Sequence, residues 1–168
     1  RTSTYAYIFK DINNRKELTE FSIKCEISCK NEFTEQELNN LISGTKITTD
    51  WLLENKIIKK NSDKKGEFYA TFHHTITEFF TAQSIIESKD IALFKKWSIL
   101  KTPTKTPQKY FNQSWYGVAQ FLLESDLFDQ TLDFFLEIGE ENNEVVDQNF
   151  AENLSRINFP DKNDPRKD

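Results

Sequence analysis

The stretch Phe68-Tyr-Ala-Thr-Phe-His-His-Thr-Ile-Thr-Glu-Phe-Phe-Thr-Ala-Gln-Ser-Ile-Ile86 decides how this chain folds. It begins as a strand. Phe68, Ala70 and Phe72 alternate with Tyr69 and Thr71, the period that a pleated strand requires. It then turns into a helix without a loop. Ile76, Phe79, Phe80, Ala82 and Ile86 recur at helical spacing and predict a broad apolar face. Thr75 and Glu78 read as a Thr-x-x-Glu capping box, in which each side chain satisfies a backbone N–H of the first turn. His73 and His74, the only two histidines in the chain, stand at the strand-to-helix junction.

Upstream of this stretch the pattern is helical. Residues 1–14 are apolar enough to dock, through Tyr5, Tyr7, Ile8, Phe9 and Ile12, but carry no clear period. Arg15 to about Lys30 reads as a helix with Leu18, Phe21, Cys25 and Cys29 on one face. Thr34 and Glu37 form a second capping box, opening a short helix with Leu38, Leu41 and Ile42 inward and Gly44 at its end. Thr48 or Thr49 caps a third helix through Trp51, Leu52, Leu53 and Ile57. Asn61 to Gly66 is turn chemistry. The predicted layout of residues 15–88 is therefore three helices, a hairpin and a helix, the order of a winged helix followed by one more helix.

Downstream, residues 89–157 read as a helical array. Asp90–Leu100 carries Ile91, Leu93, Phe94 and Trp97. Pro103 and Pro107 interrupt it, because proline biases the preceding residue away from helix. Further helices are expected from Asn112 or Ser114, from Ser125 or Asp126 to Gly139, and from about Glu141 to Ile157. The second of these should turn Leu127, Leu132, Phe135, Leu136 and Ile138 inward. Residues 158–168, with Pro160, Pro165 and many charges, read as a disordered tail or linker. The predicted fold class is mainly α, a winged-helix domain with one small β-hairpin followed by an α-helical array.

The motif also carries a resemblance. His73, Thr75, Glu78, Phe79, Phe80 and Ala82 fall in register with the closing motif of the winged-helix domain in NACHT-type (STAND) signalling NTPases, whose pattern runs roughly Phe-x-His-x-Thr-Phe-Gln-Glu-Phe-Phe-Ala-Ala. Thr71 stands where that pattern has its first Phe, Thr77 replaces the Gln and Thr81 the first Ala. The resemblance implies the regulatory winged-helix portion of a signal-transducing NTPase, of the kind used in innate immunity or phage defence. It implies that His73 reaches the phosphates of a bound nucleotide in the resting state. The contact breaks, and the winged helix swings away, when ADP is exchanged for ATP. It also implies ADP or ATP with Mg²⁺ in the parent, and none held by this chain alone. The expected partners are the parent's own NTPase domain, other proteins or a second copy.

Composition bounds the rest. The chain has 168 residues, fifteen Phe, four Gly and four Pro, which favours helices and supplies ample core. It starts at Arg1 and contains no Met, and is read as an interior piece of a longer protein. No run of apolar residues is long enough to span a membrane, and no signal peptide is visible. Two cysteines, Cys25 and Cys29, make neither a Cys-x-x-Cys motif nor a metal site and fit a reducing, cytoplasmic compartment. The net charge of −5 is unevenly spread: residues 1–109 are basic by four charges, whereas 110–155 hold ten acids and no Lys or Arg. This shift favours a boundary near 101–109 or slightly earlier.

The glycines, at 44, 66, 117 and 139, cannot build a P-loop, and no nucleophile motif is present, so no catalysis is expected of this chain by itself. Lys56, Lys59, Lys60, Lys64 and Lys65 cluster around the expected wing. Such a wing can lie on a nucleic-acid backbone. Against this, the helix that would enter the groove reads Thr-Asp-Trp-Leu-Leu-Glu-Asn and contains no Arg. Two readings therefore stand beside the signalling switch: a winged-helix nucleic-acid-binding module, and a plain helical protein-interaction domain.

Overall fold

The structure, a computed structural model, describes residues 2–64, 66–101, 103, 105 and 109–142. The chain divides into two compact units, Arg1–Ser84 and Ile85–Asp168.

The first unit runs α1 (Thr2–Ile8), α2 (Arg15–Ser28), β1 (Glu32–Phe33), α3 (Glu35–Ile42), α4 (Thr49–Glu54), β2 (Ile58–Asp63), β3 (Gly66–Thr71) and α5 (His74–Ser88), whose last four residues lie past the division. The strands form one antiparallel sheet in the order β1-β3-β2. Glu32 pairs with Ala70, and Ile58 with Thr71. Asp63 pairs with Gly66, so the hairpin turns through two residues. Gly66 has φ +125, a value that side-chain-bearing residues rarely adopt. The capping box at Thr34 and Glu37 forms as expected, and Thr48 caps α4 by accepting the Trp51 N–H.

The core of this unit gathers on α5. Phe79 and Phe80 are fully buried, as are Thr77, Thr81 and Ala82. The N-terminal segment docks here: Tyr5 stacks on Phe79 at 5.4 Å, and Phe9 meets Phe80 edge-on at 5.3 Å. Leu18, Phe21, Leu38, Leu52 and Ile57 complete the interior with no exposure.

The second unit follows with α6 (Ala92–Trp97), β4 (Ile99–Lys101), β5 (Lys109–Phe111), a 3₁₀ turn (Gln113–Trp115), α7 (Tyr116–Leu123) and α8 (Phe128–Asn142). Its centre is aromatic. The Phe94 ring touches Phe111, Trp115, Phe134 and Phe135 at centroid distances of 5.5–6.1 Å.

The structure is mainly helical with small antiparallel sheets, as the patterning predicts. Several details differ. The expectation of a single hairpin and only helices after residue 88 fails, because β4 and β5 pair across the proline-containing segment. Ile99 and Leu100 leave the helix there, and Ser98 instead receives the Asn112 N–H at 2.7 Å. Helix α2 stops at Ser28 because Cys29 is left-handed, with φ 52, and this turns Cys29 outward while Cys25 stays buried. Phe72 lies beyond the last strand residue and is 41% exposed. At the end of α5 it is Ile85, not Ile86, that is buried. Gly139 does not end α8, which runs through to Asn142. Leu127 and Phe135 are buried as expected, but Phe134 is buried beside them while Leu136 is 48% exposed. The expected helix 141–157 beyond Asn142 and the tail 158–168 lie outside the described residues.

Phe94→Ala should cost about 3–5 kcal/mol, because it empties the centre of a five-ring cluster. Thr34→Ala should cost only about 1 kcal/mol, the worth of one cap. Urea denaturation of the two variants beside the unmodified chain checks both figures, and equal losses would contradict this account of the core.

Candidate functional site

The strand-to-helix junction is built by backbone hydrogen bonds on both sides. Thr71 N–H donates to the Asn31 carbonyl at 3.0 Å, and Phe72 N–H to the Ile57 carbonyl at 2.8 Å. The chain then turns at His73, whose carbonyl accepts the Ile76 N–H at 3.0 Å. Helix α5 therefore begins at His74, two residues earlier than the Thr75–Glu78 capping box requires. Thr75 occupies a helical position in the first turn, and Glu78 points elsewhere. The earlier start follows from the His73 carbonyl closing the first turn.

His73 is exposed and lies immediately before the helix, with its ring edge-on to Phe72 at 5.2 Å. Among the described residues it makes no ion pair and no side-chain hydrogen bond. His74 behaves differently. Its Nε2 lies 3.4 Å from Glu78 Oε1 and 3.7 Å from Glu26 Oε2, and Thr77 Oγ1 sits 3.4 Å from its Nδ1. Glu26 reaches this point from α2 and is 1% exposed.

The distances alone would allow an ion pair between Glu26 and His74. Burial opposes it. Desolvation pushes the Glu26 carboxyl up to about 8, a rise that the nearby Thr77 hydroxyl lessens and the Glu78 charge increases. The Thr77 hydroxyl donates its proton to the His74 carbonyl at 2.8 Å, and neither Glu26 oxygen has a well-aligned hydrogen bond. Desolvation also lowers the His74 pKa from its ordinary value. At neutral pH both groups are therefore mainly uncharged, and 3.7 Å is a contact between neutral groups rather than a salt bridge. The same burial pushes the neighbouring Cys25 thiol up and keeps it unreactive. Glu78, 14% exposed, is placed to accept from His74.

Among the expected site residues, the structure keeps Thr34 and Glu37 together as a working cap. Thr34 N–H donates to Glu37 Oε2 at 2.9 Å. Lys30 and the Thr34 groups hold the Glu37 carboxyl at about 2. The lysine cluster is divided. Lys59 and Lys60 are adjacent on β2 and point to opposite sheet faces. Lys60 is neutralised across the hairpin by Glu67 at 2.6 Å, a contact that raises its pKa. Lys56 adopts φ 55 in the turn before β2, and Lys64 is exposed at the hairpin turn. Lys65 lies outside the described residues. Among the described residues no group of three or more His, Cys, Asp or Glu side chains is placed to hold a metal ion.

Glu26 was not singled out by pattern. Its signal was its spacing: with Leu18, Ser22 and Cys25 it completes the i, i+4, i+7, i+8 stripe of α2, so a carboxylate lies on the buried face. A scan against family models, a search of curated proteins and a search of solved structures each found no match.

The shifts fix a pH dependence. The folded-state pKa of Glu26 lies above its ordinary 4.5, so folding takes up a proton, and stability falls as pH rises from 4.5 to about 8. His74 has the opposite sign: its folded pKa lies below the ordinary 6.5, so its contribution is lost as pH falls through and below that value. Glu26→Gln should therefore be nearly neutral at pH ~4.5 and stabilising by roughly 2–4 kcal/mol above pH ~8. Chemical denaturation at both pH values measures this. An equal effect at both would show that Glu26 does not titrate in the fold.

Proposed function

We propose that this chain is the regulatory winged-helix and helical portion of a NACHT-like signal-transducing NTPase, acting as a nucleotide-gated switch in a cytoplasmic setting. The single observation that carries the reading is the mounting of His73. It is exposed, makes no side-chain hydrogen bond among the described residues, and stands at the entrance of a fifteen-residue helix in which Thr77, Phe79, Phe80, Thr81 and Ala82 are fully buried. A histidine there presents an N–H toward an anion near the positive end of the helix dipole. Behind it, Phe79 and Phe80 fix the helix, so a contact at the ring is transmitted to the whole unit rather than absorbed by a loop.

The topology supports the winged-helix part of the proposal. Helix, strand, helix, helix, strand, strand, with the short first strand beside the third, is the order α2-β1-α3-α4-β2-β3. In the proposed mechanism a nucleotide on the parent's NTPase domain binds the resting arrangement better, and His73 supplies part of that difference. The chain contributes no chemistry to hydrolysis in this reading; ADP, ATP and Mg²⁺ belong to the parent domain. Other proteins or a second copy are the expected downstream partners.

The nucleic-acid reading gains less support. Lys59 and Lys60 face opposite ways, Lys60 is already paired, and α4 carries Asp50 and Glu54. Among the described residues no helix is long and apolar enough to cross a membrane.

In the parent protein, His73→Ala should leave the fold intact and weaken the ADP-bound state by roughly 1–3 kcal/mol, the worth of a charge-assisted hydrogen bond. The expected result is about five- to 150-fold faster ADP release and signalling without the trigger. His74→Ala should change stability instead, because His74 faces Glu26 and Glu78. If the ADP off-rate is unchanged by His73→Ala, or altered only by His74→Ala, the latch assignment fails. A second outcome is expected of the chain alone: no duplex-DNA binding at physiological salt. A steep salt-dependent affinity reduced by replacing Lys59 and Lys64 would instead favour the nucleic-acid module.

A further inference from the structure

We infer that the outer face of α8 docks into a lysine-rimmed concavity on the second unit of another copy of this chain. The contact is separate from His73 and does not depend on the switch reading.

The face has no partner within its own unit. Thr131, Phe134 and Phe135 turn α8 inward, and the opposite side presents Asp129, Asp133 and Leu136 to solvent. A single exposed leucine is ordinary. This one, 48% exposed, stands one turn from Asp133 on a helix that contains no Lys or Arg. Asp129, Asp133 and Glu137 follow at i, i+4 spacing, where like charges repel. The last turn has no basic residue to complement the helix dipole. Among the described residues Asp129 and Asp133 make no ion pair.

The concavity belongs to the same unit. It measures about 350 Å³, and Ile99 and Ile138 give it an apolar lining. Its lysines are Lys95 and Lys96 of α6, Lys101 of β4 and Lys109 of β5. Two of them are engaged inside the fold: Lys95 Nζ lies 3.6 Å from Glu137 Oε2, and Lys109 has a partner of its own. Lys96, whose Nζ lies 5.0 Å from the Trp97 ring centroid, and Lys101 are exposed at the rim.

The two features complement each other. Residues 85–109 hold six Lys and two acids, whereas 110–142 hold seven acids and no Lys or Arg. One copy therefore carries both halves of an attractive contact. It does not close them on itself, because α8 forms a wall of the concavity through Glu137 and Ile138 while Leu136 is turned out to solvent. A knob and a hole on different faces of one molecule make a heterologous contact between copies. In that contact Leu136 enters against Ile99 and Ile138, and Asp129 and Asp133 meet Lys96 and Lys101. Opposite charges around an apolar knob fix its register. A nucleic-acid backbone would match the lysines but not the apolar lining. A single helix face buries little area, so the contact belongs to the weak, concentration-dependent class.

The test is sedimentation velocity of the 168-residue chain. At about 0.5 mM chain and about 50 mM salt, where surface charges are weakly screened, the chain should self-associate, and about 0.5 M salt should return it to monomer. Asp129→Lys/Asp133→Lys and Lys96→Glu/Lys101→Glu should each weaken association by about tenfold or more. An equimolar mixture of these two variants should recover it, because each supplies the face that the other lacks. Leu136→Ser, at an exposed position, should weaken association without moving the urea midpoint. Lys16→Glu/Lys46→Glu, in the first unit, should have no effect. A chain that stays monomeric at low salt would overturn the proposal. So would association indifferent to both charge reversals, or a mixture of the two variants that remains monomeric. A monomer that instead binds duplex DNA through Lys96 and Lys101 would assign those lysines to a nucleic-acid backbone and overturn the second copy.

Discussion

Helix α5 is buried on every side through its middle turn, Phe79 to Ala82, and the rest of the first unit depends on that. Phe79, Phe80, Thr81 and Ala82 are four consecutive residues without exposure. A helix buried on every side must be covered from every side. Tyr5 and Phe9 supply one cover, and Arg15 lies over the Phe80 ring at 5.8 Å. Each fully buried Phe contributes about 2–3 kcal/mol of transfer free energy, so this one helix fixes where α1 and α2 can lie. It also fixes the junction ahead of it, which is why two adjacent histidines meet such different surroundings.

Packing α2 against the start of α5 brings Glu26 beside His74. A buried carboxylate is costly unless it is paired or neutral. Here it is kept mainly neutral, and the imidazole beside it is driven toward neutrality by the same desolvation. The contact therefore sets a pH window on the clasp between two helices rather than acting as a salt bridge. One of its two members, His74, is the residue next after the exposed His73.

The two units organise charge differently. In the first, the hairpin lysines are spread over both sheet faces and partly cancelled, as on an ordinary solvated surface. In the second, Lys95 and Lys96 of α6 and Lys101 and Lys109 of the β4–β5 hairpin line one cavity together with Glu137. Lysine count does not distinguish these cases. Convergence on a shared concave surface does.

Much of the first unit was legible in the sequence because its signals are local. The Thr34–Glu37 box, the Thr48 cap, Gly44 and the turn ending at Gly66 act within four or five residues, and each appears where its chemistry predicts. The apolar period of α5 likewise located Phe79 and Phe80 in the core. What the sequence could not decide depends on partners distant along the chain. Residues 99–101 carry no strong strand period, and they become a strand only because 109–111 lies alongside. Thr75 and Glu78 have the letters of a cap, but the helix starts two residues earlier, at His74, with the His73 carbonyl accepting the Ile76 N–H. Glu26 is one acid among many until α5 packs over it and excludes water, and Lys95, Lys96, Lys101 and Lys109 are a scattered run until two strands and two helices converge. Capping, turn geometry and periodicity are written in neighbouring residues, whereas desolvation and charge convergence exist only once the chain has closed on itself.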